Sequence, residues 1–74
     1  MGILGGVSGD IVIRKLERIG YYIVRQKGSH VRLLHNNSLN FPPVSVPLHK
    51  ELRIGTLKQI IKRANLTVEE FIKL

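Results

Sequence analysis

A Gly-Ser pair, Gly28-Ser29, constrains the fold more than any other feature of the sequence. Runs rich in β-branched and aromatic residues lie on both sides of it, at 21–27 and 30–35. A two-residue hairpin turn can place a positive φ at its first central position, and glycine adopts this backbone conformation without strain. The sequence therefore predicts two antiparallel β-strands that are joined by this pair.

A two-residue turn also fixes which residues of the two strands face each other. The expected pairs are Lys27 with His30, Gln26 with Val31, Arg25 with Arg32, Val24 with Leu33 and Tyr22 with His35. Because side chains alternate between the two faces of a strand, one face of this hairpin is basic and the other is apolar. The predicted basic face carries Arg25, Lys27, His30 and Arg32, and the predicted apolar face carries Tyr22, Val24, Val31 and Leu33.

The basic face favours an anionic ligand. Like charges that oppose each other across a sheet cost up to about 1 kcal/mol per pair, so a polyanion over Arg25 and Arg32 would relieve their repulsion. The alternative is a solvated face whose long side chains splay apart. His30 lies among three cations, which disfavour the charged form of its imidazole. A neutral imidazole beside a phosphate-binding surface is a candidate general base.

Length and charge narrow the class of protein. A chain of 74 residues has room for one domain with a small core. It carries 12 Lys and Arg against 5 Asp and Glu, and no acidic residue lies between Arg18 and Lys50. Such a basic region is typical of nucleic-acid binding, although an acidic protein or an anionic membrane surface would also be attracted.

Other features point away from membranes and disulfides. The chain has no cysteine, which excludes disulfides and Cys-ligated zinc. No apolar run approaches the roughly 20 residues of a membrane span, and the first residues do not resemble a signal peptide. We therefore expect a cytoplasmic protein that is not bound to a membrane.

The rest of the chain predicts an α+β fold. The expected elements are a flexible lead-in over residues 1–7, a helix from Ser8 to Gly20, the hairpin, an edge strand at Val44–Pro47, a helix capped by Thr56 and a short helix after Thr67 with Val68, Phe71 and Ile72 as apolar contacts. Residues 8–74 then form a single domain in the order α-β-β-β-α. Its three-stranded antiparallel sheet carries the helices on the apolar face, and the basic face stays open.

No motif predicts a metal or a cofactor. His30, His35 and His49 lie on separate elements without metal-ligand spacing, and no glycine-rich phosphate loop is present. We expect His35 to be structural and His49 to position a loop or to touch RNA. The residues alone leave two alternatives to an enzyme open. These are a non-catalytic binding module for RNA or DNA, and an interaction domain for an acidic protein.

Several segments resemble, in the same order, the HicA toxins, also called the YcfA-like family. They are Ser8-Gly9-Asp10 with a helix that ends at Gly20-Tyr21, then 24–30 with Arg-Gln-Lys-Gly-Ser-His, then 46–50, and then 53–60 with Gly-Thr-Leu. The resemblance implies a fold like that of double-stranded-RNA-binding domains. It also implies an mRNA interferase that needs no translating ribosome, and a HicB antitoxin that blocks the site. The segment 36–43 is longer and more apolar than the corresponding turn of the family.

The resemblance places the family's catalytic histidine at His30. The resulting hypothesis is a metal-independent endoribonuclease in which His30 takes the proton from a ribose 2′-hydroxyl. The residues expected to bind RNA are Arg25, Lys27, Ser29, Arg32 and Lys50.

Overall fold

The computed structural model describes residues 4–74. The order of the elements in this range is α1 (Gly9–Arg18), β1 (Tyr21–Lys27), β2 (His30–His35), β3 (Val44–Pro47), α2 (Ile54–Arg63) and α3 (Val68–Lys73). The strands form one antiparallel sheet with β2 in the centre. The predicted α+β class and the α-β-β-β-α order of a double-stranded-RNA-binding-like fold are therefore confirmed, and α3 is the short helix expected after Thr67.

The core lies between the helices and one face of the sheet. The buried strand residues Val31, Leu33, Val44 and Val46 face the apolar stripes of the helices. Those stripes are formed by Val12, Ile13, Leu16, Leu57, Ile60, Ile61, Ala64 and Phe71. With the helices on this side, the opposite face of the sheet stays open to solvent.

Local signals define both ends of α1 as predicted. The Ser8 side chain caps the helix by accepting a hydrogen bond from the Ile11 backbone N–H at 3.2 Å. Gly20 has a φ of +105°, a value that ends the helix and that other residues rarely adopt. The Gly9 N–H donates to the carbonyl of His49 at 3.0 Å, which ties the start of α1 to the chain after β3.

The predicted start of α2 is wrong. The helix begins at Ile54 with Arg53 as its N-cap, and no side chain caps it, so Thr56 is its third residue rather than its cap. The cause is tertiary. Leu52 is buried and its N–H donates to the carbonyl of Val7 at 2.8 Å, which fixes the chain directly before the helix. The burial of Leu52 and this hydrogen bond override the capping signal of Thr56.

The hairpin has the predicted turn but not the whole predicted register. Gly28 has a φ of +60°, and the three pairs nearest to the turn are those expected. The register then shifts at Val24, so that Ile23 rather than Val24 faces Leu33. Val24 is the extra residue of a β-bulge and is 45% exposed.

The bulge changes which tyrosine enters the core. Tyr21 faces His35 and is only 3% exposed, whereas Tyr22, which was expected on the apolar face, is 41% exposed. The Tyr21 hydroxyl donates a hydrogen bond to the carbonyl of Pro42 at 2.7 Å. The buried ring and its bonded hydroxyl together explain why the strand shifts at this position.

His35 has the structural role that the sequence predicts. Its Nδ1 accepts a hydrogen bond from the Asn37 N–H at 2.9 Å, so Nε2 carries the proton and donates to the carbonyl of Ile19 at 2.7 Å. Its ring stacks on Phe41 at 4.5 Å and meets Tyr21 edge-on at 5.1 Å. These contacts hold the segment 36–43 against the end of the sheet.

The two ends of the chain agree with the predictions in part. Residues 1–3 of the expected lead-in lie outside the described residues, but Leu4 is buried in the core, so the lead-in contacts the domain from Leu4 onwards. The division of the chain at residue 8 stays a prediction. The capping box of Thr67 and Glu70 is present at α3. Ile72, expected as an apolar contact, is 39% exposed, because Phe71 takes the buried position.

We expect Tyr21 to make the fold sensitive to alkali. Burial raises the pKa of its hydroxyl above the ordinary value of 10.0. The unfolded chain therefore loses this proton first, and the free energy of unfolding should fall as the pH rises above 10.0. Urea unfolding on both sides of this pH measures the effect. In Tyr21→Phe this part of the pH dependence should vanish, and its persistence would contradict the assignment.

Candidate nucleic-acid interface

Side chains on the open face of the sheet form two rows across the three strands. The row nearest to the turn is Lys27, His30 and Pro47, and the next row is Arg25, Arg32 and Ser45. Directly opposed side chains on antiparallel strands have Cβ atoms about 4.5–5.5 Å apart. The structure thus brings His30 together with the three cations that the sequence predicts around it.

Five of these six residues line a cleft on the open face. Its volume is about 330 Å³, and its lining consists of Arg25, Lys27, His30, Arg32 and Ser45. Nη1 of Arg32 donates to Oγ of Ser45 at 3.2 Å. A guanidinium has several N–H donors, so this bond orients Arg32 while other donors can still bind an anion.

Backbone bonds hold His30 in place at the start of β2. The carbonyl of Ser29, in the turn, accepts a hydrogen bond from the Leu48 N–H at 2.6 Å. The carbonyl of His49, the residue after Leu48, accepts a hydrogen bond from the Gly9 N–H. The hairpin turn, the end of β3 and the start of α1 are therefore linked, and His30 lies on the strand that leaves this junction.

Two of the predicted RNA-binding residues, Ser29 and Lys50, do not line the cleft around His30. Lys50 is exposed on the segment after β3, and neither it nor Ser29 lines a cleft that contains His30. Ser29 adjoins His30 in the turn, where its backbone carbonyl rather than its hydroxyl has a defined bond. Their roles in RNA binding stay predictions.

A second cleft extends the site from the sheet to α2. On one side it is lined by His30, Arg32 and Ser45, and on the other side by Thr56, Gln59 and Arg63. Its volume is about 400 Å³. Nε of Arg63 donates to the carbonyl of Pro43 at 3.2 Å, which fixes the guanidinium beside β3. His30 therefore lies where two clefts meet.

The sequence analysis missed the residues that α2 contributes. Thr56, Gln59 and Arg63 are three and four positions apart, so they share one side of a helix. The sequence could have shown this shared side, because the three residues lie next to the buried stripe of Leu57, Ile60, Ile61 and Ala64. Interpreting Thr56 as a cap placed it before the helix instead and hid the pattern.

The clefts are suited to an anion. None of the described residues that line them is acidic, while Arg25, Lys27, Arg32 and Arg63 contribute positive charge. Such a surface attracts the phosphates of a nucleic acid. His30 provides an exposed group that can accept a proton from a ligand bound there.

One comparison decides the family. A family described as "HicA toxin of bacterial toxin-antitoxin" matches residues 9–66, which is most of the chain. The chain belongs to the HicA toxin family. The matched range runs from the first residue of α1 past the end of α2, and it includes every residue that lines the two clefts around His30. None of the curated proteins matches the chain.

Two further observations on this HicA-family chain concern membrane-spanning helices and metal-binding clusters. Within residues 4–74, no helix is long and apolar enough to cross a lipid bilayer. In the same range, no group of three or more His, Cys, Asp or Glu side chains is arranged to hold a metal ion.

Proposed function

We propose that this HicA-family toxin is a metal-independent endoribonuclease that cleaves mRNA and that His30 is its general base. The observation that carries the proposal is the position of His30, which is exposed among Arg25, Lys27 and Arg32 in a cleft without acidic lining. Family membership supports a toxin that acts together with an antitoxin. The cleavage reaction and its mechanism are inferred from the chemistry of the site.

The reaction needs a base and a cationic phosphate site. The imidazole of His30 takes the proton of a ribose 2′-hydroxyl, and the 2′-oxygen attacks the adjacent phosphorus. The bond from phosphorus to the 5′-oxygen breaks, leaving a 2′,3′-cyclic phosphate on one product. The leaving 5′-oxygen takes a proton from water or from Lys27, which directly opposes His30. His30 then returns its proton to solvent, and the Lys27 amine or the hydroxide left by the previous step takes up a proton from solvent.

The cations bind and stabilise the reacting phosphate. Arg25 and Arg32 oppose each other on the open face, so a phosphate between them would offset their mutual repulsion. Their charge also stabilises the oxygens that become more negative in the transition state. Ser29 and Lys50, at the turn and after β3, are proposed to contact neighbouring parts of the RNA.

The partners follow from the same surface. A HicB-like antitoxin is the proposed protein partner, and it would inhibit the toxin by covering the cationic cleft. Its contact surface is expected to be acidic, because the chain has a net charge of +7 and the clefts have no acidic lining. Since mRNA is the proposed substrate, the cytoplasm is the proposed site of action.

Cleavage of single-stranded RNA in EDTA tests this function. We expect the purified chain to cut the RNA at an unchanged rate when EDTA is added, and to leave cyclic phosphate ends. Loss of cleavage in EDTA would contradict the metal-independent mechanism. RNA that binds in a salt-dependent manner but stays intact would instead support the non-catalytic binding module.

A further inference from the structure

The cleft between β3 and α2 differs in character from the cationic cleft on the sheet. Its lining includes the apolar residues Val44, Pro47 and Ile60, of which Pro47 is partly exposed, and its α2 side carries a hydroxyl, an amide and a guanidinium from Thr56, Gln59 and Arg63. The sheet side carries His30 and Arg32. An apolar lining with a few polar groups is typical of a small-ligand site.

The contacts of Arg63 favour a ligand in this cleft. Its bond from Nε to the Pro43 carbonyl uses the inner nitrogen of the guanidinium and holds the group at the border between α2 and β3. The two outer nitrogens can therefore bind an anion in a fixed geometry. Gln59, one helical turn before Arg63, adds an amide that can both donate and accept hydrogen bonds.

The cleft also adjoins a second depression on α2. Gln59 and Arg63 line both, and the outer depression adds Lys62 and Pro42. A path for a chain-like anion thus runs from His30 across β3 to Lys62. A single mononucleotide would occupy only part of such a path.

We propose that the cleft between β3 and α2 is a subsite for one unstacked nucleotide of single-stranded RNA, next to the phosphate that is bound on the sheet. In this subsite Arg63 binds the next phosphate along the strand. Gln59 hydrogen-bonds to the edge of the base, and the base packs against Pro47. The inference rests on the proposed function in that RNA is the ligand.

A single strand fits the subsite better than a duplex. Paired bases are stacked inside a helix, and their hydrogen-bonding edges are occupied by the partner strand. An unpaired base can turn out of the strand and be recognised through its edge by a side-chain amide. The subsite therefore gives a physical reason for a preference among cleavage positions, which phosphate contacts alone do not provide.

The phosphate contact is tested in the His30→Ala protein, so that the RNA is not cut during the measurement. The probe is a fluorescent single-stranded RNA oligonucleotide of mixed sequence, titrated over a range of salt concentrations. Arg63→Ala should weaken binding about tenfold at low salt and reduce the salt slope by about 0.7, the value for one phosphate of a single strand. Lys58→Ala is the matched control, because it removes an exposed charge of α2 that does not line either depression.

The base contact is tested separately with His30 intact. Gln59→Ala should leave the salt slope unchanged but alter the distribution of cleavage positions along a long RNA. Thermal unfolding of each variant checks the fold, and Arg63→Lys tests whether charge without the planar guanidinium is sufficient. The lysine variant should keep the slope and lose part of the affinity.

Two outcomes would overturn the subsite. The first is that Arg63→Ala and Lys58→Ala show the same salt slope of RNA binding. The second is that Gln59→Ala cleaves a long RNA at the same positions as the wild type. Failure of the nuclease proposal is distinguishable from failure of the subsite. If the wild-type chain binds RNA without cutting it, the slope comparison in the His30→Ala background still decides whether Arg63 contacts a phosphate.

Discussion

His30→Ala is expected to slow RNA cleavage by about 10²–10⁴-fold, the usual contribution of a general base. The substitution removes an exposed imidazole and leaves Lys27, Arg25 and Arg32 in place. RNA affinity should therefore change little, and the loss should lie in the rate of the bound complex rather than in binding. Single-turnover cleavage in EDTA, together with a separate binding titration, measures the two quantities.

His49→Ala is the matched control for this experiment. His49 is also exposed, and its defined contact is made by its backbone carbonyl, which accepts from Gly9 and is retained in alanine. This variant should cleave RNA at nearly the wild-type rate. Equal rates for His30→Ala and the wild type would rule out the proposed base, and equal losses in both histidine variants would point to a general effect of removing an imidazole.

Gly9→Ala is expected to destabilise the fold by about 3 kcal/mol, the upper part of the range for inserting an atom into a packed interior. A Cβ at Gly9 would come within 2.1 Å of the Pro47 carbonyl oxygen and 3.0 Å of the Leu48 Cα. Both are backbone atoms, so no side-chain rotation can relieve the overlap. The end of β3 or the start of α1 must move, and the bond from Gly9 to His49 would weaken. Urea unfolding measures the loss.

Gly55→Ala provides the control, since an added Cβ there meets nothing within 4 Å. This glycine lies in α2, where alanine is the better helix former, so stability should rise by about 0.5 kcal/mol. The contrast between two helical glycines isolates the close contact at Gly9. If the Gly9→Ala variant were as stable as the wild type, the packing of α1 against β3 would be looser than the structure indicates.

We expect Gly9→Ala to change the cleft around His30 as well as the stability of the core. Pro47 faces His30 across the sheet, so a shift of the end of β3 moves the residue beside the proposed base. Chemical shifts of His30 and of the hairpin turn should therefore change in this variant, while those in α3 should not. Changes confined to α1 would argue against the link between the first helix and the cationic cleft.

Near the turn, the sequence was sufficient to predict which side chains lie together on the open face. Gly28 provides the positive φ, and a two-residue turn leaves one register for the residues beside it. The alternation of charged and apolar residues then places Arg25, Lys27, His30 and Arg32 on one face. Because these signals are local in the chain, they do not depend on the rest of the fold.

Farther from the turn, the same reasoning failed for a physical reason. The segment Tyr21-Tyr22-Ile23-Val24 has no polar residue, so its pattern cannot show which side chains enter the core. The hydrogen bond of Tyr21 to Pro42 and its contact with His35 select the bulged register. Pro42 lies in a different part of the chain, which local patterns do not take into account.

The sequence by itself determined the order of the elements, the turn of the hairpin and the position of His30 among three cations on one face. These follow from turn chemistry and from the period of the side chains, which act between near neighbours. Only the tertiary structure decided the bulge at Val24, the early start of α2 and the entry of Gln59 and Arg63 into the site. Each of these depends on how a helix or loop packs against strands distant in sequence, and that packing is set by burial across the whole core.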